Sequence, residues 1–187
     1  MAWDLKRNVR EVGIAAALLC LVATVEAATG VEEQKTHEEV LAAARSMAES
    51  VRYCGLVTID EAGRAAVRTM DPFLPEEDWT IWLATSRGTR KLSHIARDPR
   101  VTLYYFDPES PGYLTVFGKA RMVDAEEERK RHWKEDWALF YENRNLGDDY
   151  VLIEVRPVKL EIVSVRDGIA GTPGSFESVV VTFPGRE

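Results

Sequence analysis

Residues 79–106 read WTIWLATSRGTRKLSHIARDPRVTLYYF. Trp79, Ile81, Leu83 and Thr85 alternate with Thr80, Trp82, Ala84 and Ser86, and this period of two in bulky residues predicts a strand. Ser86-Arg87-Gly88 predicts a tight turn. Thr89 or Gly88 then caps a short helix in which Leu92, Ile95 and Ala96 form one apolar stripe, with Arg90 and Lys91 beside its first turn. Asp98-Pro99 ends that helix, because the residue before proline avoids the α region. Val101–Phe106 is the next strand. A helix start exposes free backbone N–H groups and the positive end of the dipole. A threonine hydroxyl, a fork-shaped arginine and a lysine there are the donors that a phosphate monoester needs. The competing reading leaves Arg90 and Lys91 as solvated charges on an exposed turn.

Outward from this stretch the pattern is helix, strands, helix, strands. Thr36-x-x-Glu39 forms a capping box, after which Val40, Leu41, Ala44, Met47, Ala48 and Val51 mark one helical face. Tyr53–Asp60 and Gly63–Met70 predict a hairpin. Downstream, Tyr113–Val123 predicts a long strand in which Gly118 marks a bulge or a close backbone approach. Asp124-Ala125-Glu126-Glu127 opens a helix, acidic first and basic next, with Trp133, Trp137, Phe140 and Tyr141 as an aromatic stripe. That stripe fits a core or a dimer interface better than a cofactor box. Tyr150–Arg156 and Val158–Val165 predict two strands separated by Pro157, and Phe176–Phe183 an edge strand.

The N-terminus differs in kind. Lys6, Arg7 and Arg10 precede the apolar run VGIAAALLCLVATV at positions 12–25, and Val25-Glu26-Ala27 has small residues in a cleavable arrangement. Residues 1–27 therefore predict a secretory signal peptide and an exported protein, with an uncleaved membrane anchor as the alternative. Residues 28–35 form a linker, and residues 36–187 one domain. The chain of 187 residues carries a formal charge of −7, which argues against a nucleic-acid partner. Removing residues 1–27 leaves Cys54 as the remaining cysteine, in an apolar alternating run that fits a buried structural thiol. His94 and His132 have no metal-type partner at helical spacing, and HExxH, GxGxxG, P-loop and GxSxG motifs are absent.

The segment ATSRGTRKLSHIARDPRVTLYYF resembles the flavin-phosphate signature of the FMN-binding split-barrel family, whose members include pyridoxamine-phosphate oxidase and the general-stress flavoproteins; the likeness runs from about Glu39 to about Pro173 and is greatest to the general-stress branch. The resemblance implies a mainly β fold, a six-stranded antiparallel split β-barrel with flanking helices, and a homodimer with two FMN sites at its interface. It implies that Arg68, on the strand before the signature, joins Thr89, Arg90 and Lys91 on the flavin phosphate. Thr69, Met70, Ala84 and Thr85 would then line the flavin. The catalytic residues are left unknown and no metal is implied. The function implied is an FMN-dependent oxidoreductase acting on a small molecule. The alternatives are an F420-dependent reductase and a non-enzymatic flavin-binding stress protein. The Arg-x-His and downstream arginine segment by which pyridoxamine-phosphate oxidases grip substrate is absent; GIAGTPGSFESVVVTF stands at positions 168–183 instead, which argues against vitamin B6 oxidation.

Overall fold

Alternating burial along the strands sets the architecture. In a computed structural model, which describes residues 35–144, 147–170, 175 and 177–186, one seven-stranded antiparallel sheet runs in the order β2-β1-β4-β5-β6-β3, with β7 joining β6. The strands are β1 Cys54–Ile59, β2 Ala65–Met70, β3 Ile81–Ser86, β4 Arg100–Phe106, β5 Gly112–Val123, β6 Tyr150–Ser164 and β7 Val179–Thr182. The helices are α1 His37–Val51, α2 Arg90–Arg97 and α3 Glu126–Arg131, followed by a 3-10 turn over Glu135–Leu139. The predicted six-stranded path is present, and β7 is a seventh strand, shorter than the Phe176–Phe183 reading. Residues 1–27 and all of the predicted linker except Lys35 lie outside the described residues.

Inward-facing Leu56, Leu83, Leu103, Leu114, Ile153 and Leu160 are fully buried and form the main core. The capping box of α1 forms as predicted: Glu39 N donates to Thr36 Oγ1 at 3.2 Å and Thr36 N donates to Glu39 Oε2 at 2.8 Å. Its buried face, Val40, Ala43, Ala44, Met47 and Ala48, closes over this core. A second core lies on the outer face of β3, β5 and β6, where Trp82, Val123, Tyr150 and Leu152 meet Trp137 and Tyr141. Covered on both faces, residues 150–155 of β6 are buried without alternation.

Three elements differ from the sequence reading. β3 starts at Ile81, because Trp79 takes φ 68° in a turn where its N–H donates to Glu76 O. Arg45 of α1 ties that turn down through Pro75 O and lies 4.8 Å over the Trp79 ring. The helix after Asp124 stops at Arg131, with Ala125 as a non-capping N-cap, and the aromatic stripe falls on the 3-10 turn and the loops beside it. Pro157 does not end a strand. It sits where the edge of β6 changes partner, from β3 over residues 150–155 to β7 over residues 159–162, so the missing N–H falls in the gap between them.

The predicted irregularity at Gly118 is real: Phe117 pairs with Lys159 but Gly118 with Pro157, which puts Val158 out of register. A Cβ at Gly118 would stand 2.7 Å from Arg156 O and 3.1 Å from Val155 Cγ1. Gly118→Ala is expected to destabilise the fold by about 1–3 kcal/mol, since backbone must move to admit the methyl. The midpoint of urea unfolding measures it, and an unchanged midpoint would mean that the bulge yields freely.

Candidate functional site

The turn from β3 into α2 gathers the polar side chains. Gly88 adopts φ 73°, which a side chain disfavours, and swings the chain into α2 with Thr89 as N-cap. Thr89, one of the two caps the sequence offers, is the N-cap, but its side chain makes no capping hydrogen bond. Its hydroxyl lies 3.2 Å from Thr85 Oγ1, and Lys91 Nζ donates to Thr85 Oγ1 at 2.8 Å. Thr85, the last inward residue of β3, is buried and so fixes both partners. The first-turn N–H groups of α2 are thereby left without a side-chain cap.

Arg68 reaches the same place from β2. Its Nη1 donates to Leu56 O at 3.0 Å, Thr58 Oγ1 at 2.8 Å and Ala66 O at 2.9 Å. Its Nε and Nη2 make no hydrogen bond among the described residues. The electrostatics are one-sided. Burial lowers the Arg68 pKa, and the Arg90 charge lowers it further. Burial likewise lowers the Lys91 pKa, and there the Arg68 charge adds to the effect. Among the described residues no carboxylate forms an ion pair with Arg68, Arg90 or Lys91, whereas Arg87, Arg100 and Arg129 each hold an aspartate. Three neighbouring cations without a counter-charge could hold an anion.

The remaining predicted residues line an adjoining cleft. β2 and β3 are the two ends of the sheet path, so each keeps a row of backbone groups without a strand partner. Between them lies a cleft of about 440 Å³ lined by Thr69, Met70 and Ala84 with Tyr53, Trp137 and Tyr141. The side chains of Arg68 and Thr85 enter the cation cluster, and their chain neighbours Thr69 and Ala84 face the cleft. A larger cavity of about 580 Å³ lies between α1 and residues 72–76, but its cations Arg52 and Lys134 already hold Asp71. The Cys54 thiol is buried, and burial pushes its pKa up to about 12, which leaves it unreactive. Among the described residues no group of His, Cys, Asp and Glu is placed to hold a metal ion.

The sequence reading missed Thr58 and His94. Thr58 is fully buried, accepts from Arg68 and lies 2.9 Å from His94 Nδ1 on α2. The signal was a hydroxyl in the buried phase of β1, after Cys54 and Leu56.

The family model described as pyridoxamine 5'-phosphate oxidase like matches residues 39–165. No curated protein matches the sequence at a significant level. Among solved structures, a Clostridium acetobutylicum protein related to general stress protein 26 matches with TM-score 0.66 and 15% identity, over 79% of this chain and 97% of its own. A pyridoxamine 5'-phosphate oxidase-related, FMN binding protein from Nostoc punctiforme matches with TM-score 0.56 and 15% identity, over 81% and 98%. An F420 reductase matches with TM-score 0.50 and 23% identity, over 62% and 94%. At these identities the structural matches establish the split-barrel fold.

Proposed function

We propose, because this chain belongs to the pyridoxamine 5'-phosphate oxidase like family, that it binds FMN and works as an oxidoreductase on a small molecule. The carrying observation is the cluster of Arg68, Arg90 and Lys91 without a carboxylate, beside an uncapped helix start. Those cations, Thr85 and Thr89 fit the flavin phosphate, and the adjoining cleft of Thr69, Met70 and Ala84 fits the remainder of the cofactor. Bound flavin would supply two-electron transfer at its ring. The protein's part is to neutralise the phosphate, to orient the ring against the edges of β2 and β3, and to exclude water with Trp137 and Tyr141. A second reading, an F420-dependent reductase, is favoured by the F420 reductase among the structural matches and would use the same cleft. A flavin-binding stress protein without turnover is the third.

The reading includes a homodimer. The outer face of β1, β2, β4 and β5 exposes Val67, Tyr104 and Phe106, and Tyr104 stacks on Tyr113 at 6.0 Å. Exposed apolar side chains gathered on one face suit contact with a second copy. The reading also takes residues 1–27 as an export leader, with an uncleaved membrane anchor as the alternative.

The test is the absorption spectrum of the full-length protein after incubation with FMN and desalting, with F420 in parallel. Retained FMN supports the reading, retained F420 alone moves it to the second reading, and a colourless protein in both overturns it.

The lowered Lys91 pKa gives a pH prediction. An anion restores the charged form of Lys91, so its bound pKa lies above its free one. Affinity is therefore full below the free value and falls as the pH rises through it toward the ordinary lysine value of 10.5. Titrations between pH 7 and 10.5 are expected to show this alkaline loss in the wild type and not in Lys91→Met. The same loss in both would place the titration elsewhere.

A further inference from the structure

We propose that Thr58 and His94 are positioning residues for Arg68, and that their lock gives the site its preference for a phosphorylated ligand over the same ligand without phosphate. The inference rests on the reading of the cation cluster as a phosphate site.

The first hydrogen-bond role in the chain is fixed. Arginine only donates, so Arg68 Nη1 donates to Thr58 Oγ1 at 2.8 Å. The Thr58 hydroxyl keeps its proton and lies 2.9 Å from His94 Nδ1, to which it donates in the tautomer that carries the ring proton on Nε2. Arg68 lies on β2, Thr58 on β1 and His94 on α2, one turn beyond Arg90 and Lys91. The relay thus couples one arm of the site to the helix that carries the other two.

The site needs such a lock. Arg90 and Lys91 repel the Arg68 guanidinium, and Arg68 stands on the end strand of the sheet path, where an unanchored side chain would swing into solvent. All of its anchors fall on Nη1, which leaves Nε and Nη2 as a free fork for a phosphate. Two anchors are main-chain carbonyls, which no substitution removes. Thr58 is the anchor that a single side chain supplies, and it is fully buried, so valine can fill its place without its hydroxyl.

The experiment titrates full-length wild type, Thr58→Val, His94→Leu and His94→Asn with FMN and with riboflavin. Thr58→Val is expected to weaken FMN binding on the order of ten-fold, as for loss of a hydrogen bond to a charged group, and to leave riboflavin within about two-fold. His94→Leu is expected to act in the same direction to a smaller extent. His94→Asn keeps an acceptor near Nδ1 and is expected to retain wild-type preference. In an Arg68→Met background, Thr58→Val is expected to change nothing further. Equal weakening of both ligands would make Thr58 a scaffold residue and overturn the proposal, as would an unchanged preference in both Thr58→Val and His94→Leu. Should Thr58→Val fail to fold, His94→Leu against His94→Asn decides. A wild type that binds both ligands equally overturns the phosphate reading itself, a distinct failure.

Discussion

Arg68→Met is expected to weaken FMN binding by roughly 100-fold, about 3 kcal/mol, and to leave the ligand-free protein within about 1 kcal/mol of its original stability. The two halves have different causes. The free Nε and Nη2 edge of Arg68 matches a phosphate with charge-assisted hydrogen bonds, which are stronger than neutral ones, and methionine offers none. In the ligand-free protein two effects oppose each other. Arg68 suffers burial and the Arg90 charge, which methionine relieves, while the Nη1 bonds to Leu56 O, Thr58 Oγ1 and Ala66 O are lost. Methionine also keeps the apolar stem. Calorimetric titration gives the first number and urea unfolding the second. Undiminished FMN affinity would remove Arg68 from the site.

Trp137→Ala has the larger effect on stability, an expected loss of about 3–5 kcal/mol. Trp137 is 5% exposed and stands edge-on to Phe73 at 5.4 Å and to Trp133 at 6.1 Å. Its indole N–H donates to Asp71 Oδ2 at 3.1 Å, and Asp71 also takes Lys134 at 2.6 Å. Truncation leaves a cavity in the outer core and one half-buried carboxylate with a donor fewer. It also removes a wall of the cleft that Thr69, Met70 and Ala84 line. Phe140, three residues on and 75% exposed, is the control: Phe140→Ala is expected to stay within about 0.5 kcal/mol. Equal losses at the two positions would contradict the packing described.

The sequence stripe treats those two residues alike, and the reason is physical. Spacing of three and four marks one face only if the helix continues, and here α3 ends at Arg131. Elsewhere local signals sufficed. Strand alternation, Gly88 and Asp98-Pro99 are short-range, and they delimited β3, α2 and β4 to within two residues. Gly118 was legible as a bulge because a strand interior seldom tolerates glycine without a cause. Pro157 misled because its meaning depends on which strand lies opposite, and β3 and β7 share that edge of β6. For the site, Thr89, Arg90 and Lys91 could be read from the turn alone. Arg68, Thr69, Met70, Ala84 and Thr85 came from resemblance; the fold brings Arg68 and Thr85 to the cation cluster and sets the other three at the neighbouring cleft. Thr58 and His94 are 36 positions apart, and only folding reveals their contact.

The most direct measurement is a calorimetric titration of the full-length protein with FMN and with riboflavin at neutral pH and low salt. The account predicts at least roughly 100-fold tighter binding of FMN, a preference that shrinks as salt screens the cations. Equal affinity for the two ligands, or binding of neither, would contradict it.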